Sequence, residues 1–217
     1  IMDQAVERVT GDQLTQLMFP QFDSDSPKVL LTKGMAASPG AAVGGIAFDN
    51  AEAEAAKEAG RPCILVRRET NPDDLAGMVA AEGVLTARGG KTSHAAVVAR
   101  GMGKTCVCGA EALVIDLEAR TLTVGDKVLH SGDTIAIDGL TGEVFDGDVP
   151  VSDSPVTTYL LSGLEAGLEA CKGDEDMVEL VTSVDRIMTY CSSQDRKSGS
   201  AGMPRPISYA VFCLKKK

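Results

Sequence analysis

Between residues 33 and 150 the chain runs in short apolar stretches, each closed off by Gly, Pro, Asn, Asp or Ser. Stretches this brief suit buried strands, and the longer Ala-rich runs between them suit helices. Aromatic residues make up only 4% of the chain and Trp is absent, so Val, Ile, Leu and Ala must build the core. Alternation of the two kinds of segment predicts an α/β fold.

The order can be read in some detail. Ser38-Pro39-Gly40 forms a turn before a strand over 41–48. Asn50 caps a helix over 51–59 that Gly60 ends. Residues 63–66 form a buried strand, and Asn71-Pro72-Asp73-Asp74 opens a second helix with Pro at its first position and acids in its first turn. A strand over 83–86 leads into the glycine-rich loop Ala87-Arg88-Gly89-Gly90-Lys91-Thr92-Ser93-His94, followed by a helix over 95–100 with Gly101 just past its end. After a strand over 105–107 the pattern turns to β, with strands over 121–124, 134–137 and 142–145.

The flanks differ in character. Residues 1–19 read as an amphipathic helix with Val6, Val9, Leu14, Leu17 and Met18 on its apolar side, and 20–27 as a polar, Pro-bearing linker. Residues 151–190 form a polar connector and a helix or two, with Val178, Val181, Val184, Ile187 and Met188 on one side. From Cys191 the composition shifts through a Gly/Ser stretch to an aromatic and basic end, read as foreign to the fold or disordered. The expected division is therefore 1–32 helix and linker, 33–150 globular domain, 151–190 helical linker and 191–217 tail.

Several function classes fall away. A net charge of −10 disfavours a nucleic-acid surface, which needs a concentrated Lys/Arg footprint. No apolar run reaches the roughly 18 residues of a membrane span, and Asp3 and Glu7 interrupt anything like a signal peptide. The chain opens at Ile1 on what reads as mid-protein sequence, which leaves room for a targeting segment upstream. Of the six Cys, Cys106 and Cys108 share one face of a strand, but no second Cys/His pair at ligand spacing follows, so the thiols read as small buried side chains and no metal site is expected. A thiol or metal protein built on Cys106 and Cys108 is the weakest of the rival readings.

Only two histidines occur. His130 lies beside Ser131-Gly132-Asp133 and reads as an exposed turn residue. His94 stands where a glycine-rich loop meets a helix start. Gly89 and Gly90 let the backbone pass close to a bulky anion, Thr92 or Ser93 can cap the helix, and the helix N-terminus favours negative charge. The same field disfavours a protonated ring, which keeps the imidazole available as a nucleophile toward phosphorus. His94 is thus the candidate catalytic residue, with Gly89, Gly90, Thr92, Ser93 and Arg88 as its expected phosphate-binding neighbours.

The run from Gly89 to Gly101 resembles the phosphohistidine signature of the phosphoenolpyruvate-utilising enzymes. Within that family, Leu85-Thr86-Ala87-Arg88, Gly101-Met102-Gly103-Lys104, Cys106-Val107-Cys108-Gly109, Ser38-Pro39-Gly40-Ala41-Ala42 and Arg67-Arg68-Glu69-Thr70 are similar to the pyruvate phosphate dikinases. Lys91 stands where the dikinase pattern has Met. The likeness runs from about residue 1 to 190 and fails over the tail.

The resemblance implies a swivelling β/β/α phosphohistidine domain with helical flanking linkers, phosphorylated on His94 at Nε2. The parent would convert ATP, phosphate and pyruvate to AMP, diphosphate and phosphoenolpyruvate, with His94 shuttling between an ATP-grasp nucleotide domain and a TIM-barrel pyruvate domain. Neither partner fits in the residues present, so the chain alone is expected to carry a phosphoryl group without completing turnover. The stretches 20–27 and 148–155 read as its swivel linkers. Mg²⁺ and a monovalent cation (K⁺ or NH₄⁺) are implied for the full enzyme and no cofactor for this domain. Thr92 matches the position that a regulatory kinase and phosphatase modify in plant relatives. The location follows the parent: cytoplasm if bacterial, chloroplast or glycosome if eukaryotic. Phosphoenolpyruvate synthase or Enzyme I, or a non-catalytic anion-binding module on the same fold, are the alternatives.

Overall fold

The computed structural model describes residues 17–22 and 26–197. One compact unit spans Pro20–Ser152, and a second draws on the residues to either side of it. In chain order the first unit contains β1 (Gln21–Phe22), β2 (Val29–Lys33), β3 (Met35–Ser38), β4 (Ala41–Ala47), α1 (Asn50–Glu58), β5 (Cys63–Arg67), and a 3-10 turn (Pro72–Asp74) running into α2 (Leu75–Ala80). It continues with β6 (Gly83–Thr86), α3 (His94–Gly101), β7 (Thr105–Cys108), β8 (Val114–Asp116), β9 (Thr121–Val124), β10 (Lys127–His130), β11 (Thr134–Asp138), β12 (Glu143–Asp146) and β13 (Val151–Ser152).

Eight strands form one mixed sheet in the order β2-β12-β11-β4-β5-β6-β7-β3. Its centre, β4 to β7, is parallel, because each of these strands is joined to the next by a helical crossover. Parallel strands covered on both faces read as near-continuous apolar runs, and β5 shows how the side chains divide. Cys63 and Leu65 pack with Ala53 of α1, Met78 of α2 and Ala95, Ala96 and Ala99 of α3. Ile64 and Val66 point the other way, into a core shared with Leu122 and Leu129 of the small sheet β10-β9-β8. Val84 and Leu85, and Cys106 and Val107, repeat the division. The result is three layers: helices, main sheet, small sheet. Each fully buried aliphatic side chain in it stabilises by roughly 1.5–3 kcal/mol relative to exposure.

Several local expectations shift in the fold. The N-cap of α1 is Asp49, whose carboxylate accepts the Glu52 N–H at 2.8 Å. That amide, with the Arg120 guanidinium beside it, holds the Asp49 carboxyl below its ordinary range. Asn50 instead spans two elements, donating to Asp73 O (2.7 Å) and accepting the Gly77 N–H (3.0 Å). Helix α3 runs on through Gly101, and the left-handed residue that ends it is Gly103, at φ +68°. Residues 29–32, placed with the N-terminal linker, belong to β2 of the main sheet. The two stretches read as swivel linkers hydrogen-bond to each other, since β1 pairs antiparallel with β13 through Gln21 with Ser152 and Phe22 with Val151.

The second unit contains α4 (Pro155–Ser162), α5 (Leu164–Ala170) and α6 (Glu175–Lys197). Ser154 caps α4 just before Pro155. Val156, Cys171, Val181 and Val184 form its buried centre, with Met188 packed against them. Helix α6 carries on past residue 190, where the tail was expected to begin. Leu17 and Met18 lie in a turn, while Val6, Val9 and Leu14 of the expected N-terminal helix, and residues 198–217 of the tail, fall outside the described residues.

Candidate functional site

Parallel strands align their carboxyl ends, and the loops that leave those ends converge along one edge of the sheet. β5 and β6 are neighbours there, so the loop after β5 meets the glycine-rich loop after β6. Backbone bonds join them: Ala87 N–H donates to Arg67 O at 3.1 Å and Arg88 N–H to Arg68 O at 2.8 Å.

The glycine-rich loop makes a turn in which Ser93 N–H reaches Gly90 O at 3.0 Å. Gly89 sits at φ +106°, where a Cβ would also come within 3.0 Å of the Ser93 Cβ. A Cβ on Gly109 would lie 2.6 Å from the Gly89 carbonyl oxygen, so this corner requires glycine from both sides. Gly90 has no comparable crowding, with only the Met35 sulfur at 3.9 Å.

Of the two possible caps, Ser93 is the one used. Its hydroxyl accepts the Ala96 N–H at 3.4 Å and its carbonyl accepts the Val97 N–H at 3.0 Å. The N–H groups of His94 and Ala95 come too early in α3 to find a carbonyl within it, and remain at the positive end of the helix. Thr92 is exposed and lies outside the cap.

His94 is the first residue of α3 and is half-buried. Its Nδ1 lies 3.1 Å from the hydroxyl oxygen of Thr70, a residue only 7% exposed in the loop after β5. That loop is fixed in turn. Arg67 pairs with the buried Asp74 at 2.9 Å and donates to Phe48 O at 3.0 Å, and Asp74 accepts the Asn71 N–H at 2.9 Å. Thr70 is the residue that sequence reasoning missed as part of the site. The available signal was its place after a strand next to β6, together with a polar side chain ahead of the Asn71-Pro72 helix start.

With Nδ1 engaged, Nε2 is the ring atom left for chemistry. If Nδ1 carries the proton and donates it to Thr70, the Nε2 lone pair is free.

Beneath the cap lie the two thiols. Ser93 Oγ is 3.6 Å from Cys108 Sγ, which is 3.5 Å from Cys106 Sγ. Cys108 is the more acidic of the pair. The hydrogen bond from Cys106, with the Thr86 and Ser93 hydroxyls, outweighs burial and pulls it down to about 6; the same bond and burial push Cys106 up. Among the described residues no cluster of three His, Cys, Asp or Glu side chains is arranged to hold a metal.

The remaining candidates separate. Arg88 is exposed and lines a cavity with Arg68 and residues of β8, a cavity that His94 does not line. His130 ends β10, exposed, with its Nδ1 3.7 Å from Asp133.

Parts of the chain are similar to known proteins. Residues 59–142 match the family described as PEP-utilising enzyme, mobile domain. The chain is 50% identical over 167 residues to a chloroplastic pyruvate, phosphate dikinase of Arabidopsis thaliana, covering 75% of this chain and 17% of that protein. It is 46% identical over 158 residues to the dikinase of Giardia intestinalis (73% of this chain, 18% of that one), and 46% identical over 157 residues to that of Clostridium symbiosum (71% and 18%). The chain thus spans 17–18% of the length of these relatives, in which the matched stretch is one part of a longer protein. An Enzyme I solution structure overlays 54% of this chain and 38% of its own at 23% identity with a TM-score of 0.29, too loose a match to say anything of the fold. The span matched by the PEP-utilising enzyme mobile domain takes in β5 to β11 and, with them, the His94 corner.

Proposed function

We propose that the chain is the phosphoryl-carrier domain of a pyruvate phosphate dikinase, and that His94 accepts the phosphoryl group on Nε2. The observation that carries the reading is the Thr70–His94 contact at the N-terminus of α3, which engages Nδ1 and leaves Nε2 for phosphorus. Identity of 46–50% to dikinases over about three-quarters of the chain favours that enzyme over its relatives.

In loading, the Nε2 lone pair forms a bond to phosphorus while the bond from phosphorus to the donor oxygen breaks, and that oxygen leaves with the electron pair. The ring then carries a positive charge with its proton on Nδ1, from which the Thr70 oxygen accepts a hydrogen bond. The phosphoryl oxygens face the free N–H groups of the first turn of α3, which suit a dianion. Unloading reverses the order: a new bond forms at phosphorus, the Nε2–phosphorus bond breaks, and its electron pair returns to the ring. Keeping Nδ1 protonated throughout makes the imidazole a better leaving group.

The parent enzyme would couple ATP, phosphate and pyruvate to AMP, diphosphate and phosphoenolpyruvate, with an ATP-grasp domain as donor and a TIM-barrel domain as acceptor. Mg²⁺ and a monovalent cation would serve those domains, where they neutralise phosphate and carboxylate charge. Thr92, exposed two residues before His94, is the position at which a regulatory kinase would act. A phosphate there would repel the incoming group and compete for the same N–H donors. The compartment follows the parent, chloroplast for a plant enzyme and cytoplasm for a bacterial one.

Intact-mass measurement tests the reading. The chain is incubated with a dikinase ATP-grasp domain, ATP, phosphate and Mg²⁺. One added phosphoryl group that survives base, disappears in acid and is absent from His94→Ala is the expected result. A folded chain that gains no adduct from an active donor would instead favour a different donor enzyme, as in phosphoenolpyruvate synthase or Enzyme I, or the anion-binding module.

A further inference from the structure

A second feature of the same sheet edge has no part in the chemistry at His94. Across the strand ends from α3, a cavity of about 570 Å³ opens between the ends of β5 and β6 and the strand β8. Its floor is apolar and buried, made by Ala87, Leu113 and Ile115. At its mouth stand Arg68, Arg88, Glu111 and Val114, the last 65% exposed.

The two guanidinium groups differ. Arg68 is fixed, donating from Nε (3.1 Å) and Nη2 (2.9 Å) to Ile115 O, which leaves its other nitrogen uncommitted. Arg88 makes no side-chain hydrogen bond or ion pair among the described residues, and neither does Glu111. In a chain of net charge −10, a fixed and a free arginine side by side over an apolar floor make a local exception. Such a surface suits a carboxylate carried on apolar neighbours, since the guanidinium fork binds carboxylates well and the floor needs covering. A small free anion gains nothing from the floor and meets Glu111 at the rim. The cavity also adjoins the chemistry: Arg88 N–H is bonded to Arg68 O, and Thr70, two residues beyond Arg68, engages the His94 ring.

We propose that the Arg68–Arg88 cavity is the docking socket for an acidic side chain, borne on an apolar segment of the domain that donates the phosphoryl group to His94. This rests on the carrier reading. The socket recognises the donor protein and takes no part in the bond changes at Nε2.

The test compares two donors. One is an ATP-grasp domain with ATP, phosphate and Mg²⁺; the other is phosphoramidate, a small molecule with nothing to dock. Val114→Glu, which sets a carboxylate at the mouth, should slow loading by the protein donor roughly tenfold at low salt and leave phosphoramidate loading at the wild-type rate. Arg88→Glu should slow the protein donor by at least as much, and its loading rate should depend less on salt than the wild-type rate. Both residues are exposed, so neither change threatens folding. Equal rates for wild type and both variants with the protein donor would overturn the proposal. So would an equal slowing with both donors, or protection of Arg88 from a guanidinium reagent by inorganic phosphate but not by the donor domain. A wild-type chain that neither donor labels at His94 would remove the carrier reading and the socket with it, an outcome unlike any of these.

Discussion

The two histidines of this chain stand in similar company and differ in what holds them. Each has a serine next to it and a glycine within a few residues. At His94 the ring itself is held, with Nδ1 3.1 Å from the buried Thr70 hydroxyl and the backbone starting a helix. At His130 the backbone is held instead. Its N–H donates to Asp133 at 2.7 Å, while the side chain is 66% exposed and 3.7 Å from that carboxylate. A hydroxyl oxygen can accept a hydrogen bond from Nδ1–H and fix the ring's orientation, whereas an exposed ring turns freely in water. Composition around a histidine therefore says less than the partner of its Nδ1.

Replacing each histidine should break the symmetry most completely. His94→Gln is expected to abolish the acid-labile adduct, and His130→Gln to leave it at the wild-type level. The measurement is intact mass after loading, with thermal unfolding to show that both variants fold. An adduct on His94→Gln that vanishes in His130→Gln would invert the assignment.

The next contrast concerns how the ring is held. Thr70→Val keeps the shape and removes the hydroxyl, so His94 should come to resemble His130 in its freedom. Loss of one neutral hydrogen bond corresponds to at most roughly tenfold in loading rate. Thr70→Ser should restore most of it. Nitrogen-15 spectra of the imidazole separate a positioning role from a structural one. Wild type should show the proton mainly on Nδ1 and Thr70→Val a mixture of the two tautomers; a spectrum of Thr70→Val identical to that of the wild type would argue against Thr70.

These contrasts mark what the sequence made legible. The alternation of Cys63, Ile64, Leu65 and Val66 between two cores follows from a strand buried on both faces, and the Gly89–Gly90 corner ahead of His94 announces close backbone packing. Thr70 was not legible as a partner, because 24 residues separate it from His94 and only strand adjacency brings them together. Two shifts were local. Asp49 and Asn50 are both good caps, and the helix register chose the first while Asn50 found long-range partners in Asp73 and Gly77. The linkers read as polar and loose pair as β1 and β13, a contact between distant segments that neither one encodes alone.

A smaller effect is expected at the cap. Ser93→Ala removes the acceptor of the Ala96 N–H and the neighbour of Cys108 Sγ. Loss of an N-cap serine costs about 1 kcal/mol, here from the first turn of α3. Chemical denaturation should show that loss with an unchanged slope, and loading should fall less than in Thr70→Val, because the ring keeps its hydroxyl. A larger fall in loading than Thr70→Val causes would mean that the helix start, and not the ring contact, distinguishes His94.

The smallest effect should come from the His130 side chain. Its turn is held by the carboxylate of Asp133, which accepts the His130 backbone N–H, and by the backbone bond from Asp133 N–H to His130 O at 3.1 Å. His130→Ala keeps both and removes only an exposed ring, so stability should change by less than about 0.5 kcal/mol. Asp133→Ala deletes the acceptor and should cost more, by up to about 1.5 kcal/mol. If the order were reversed, with the ring mattering more than the carboxylate, His130 would be held by its side chain as His94 is. The contrast between a gripped ring and a gripped backbone would then no longer tell the two histidines apart.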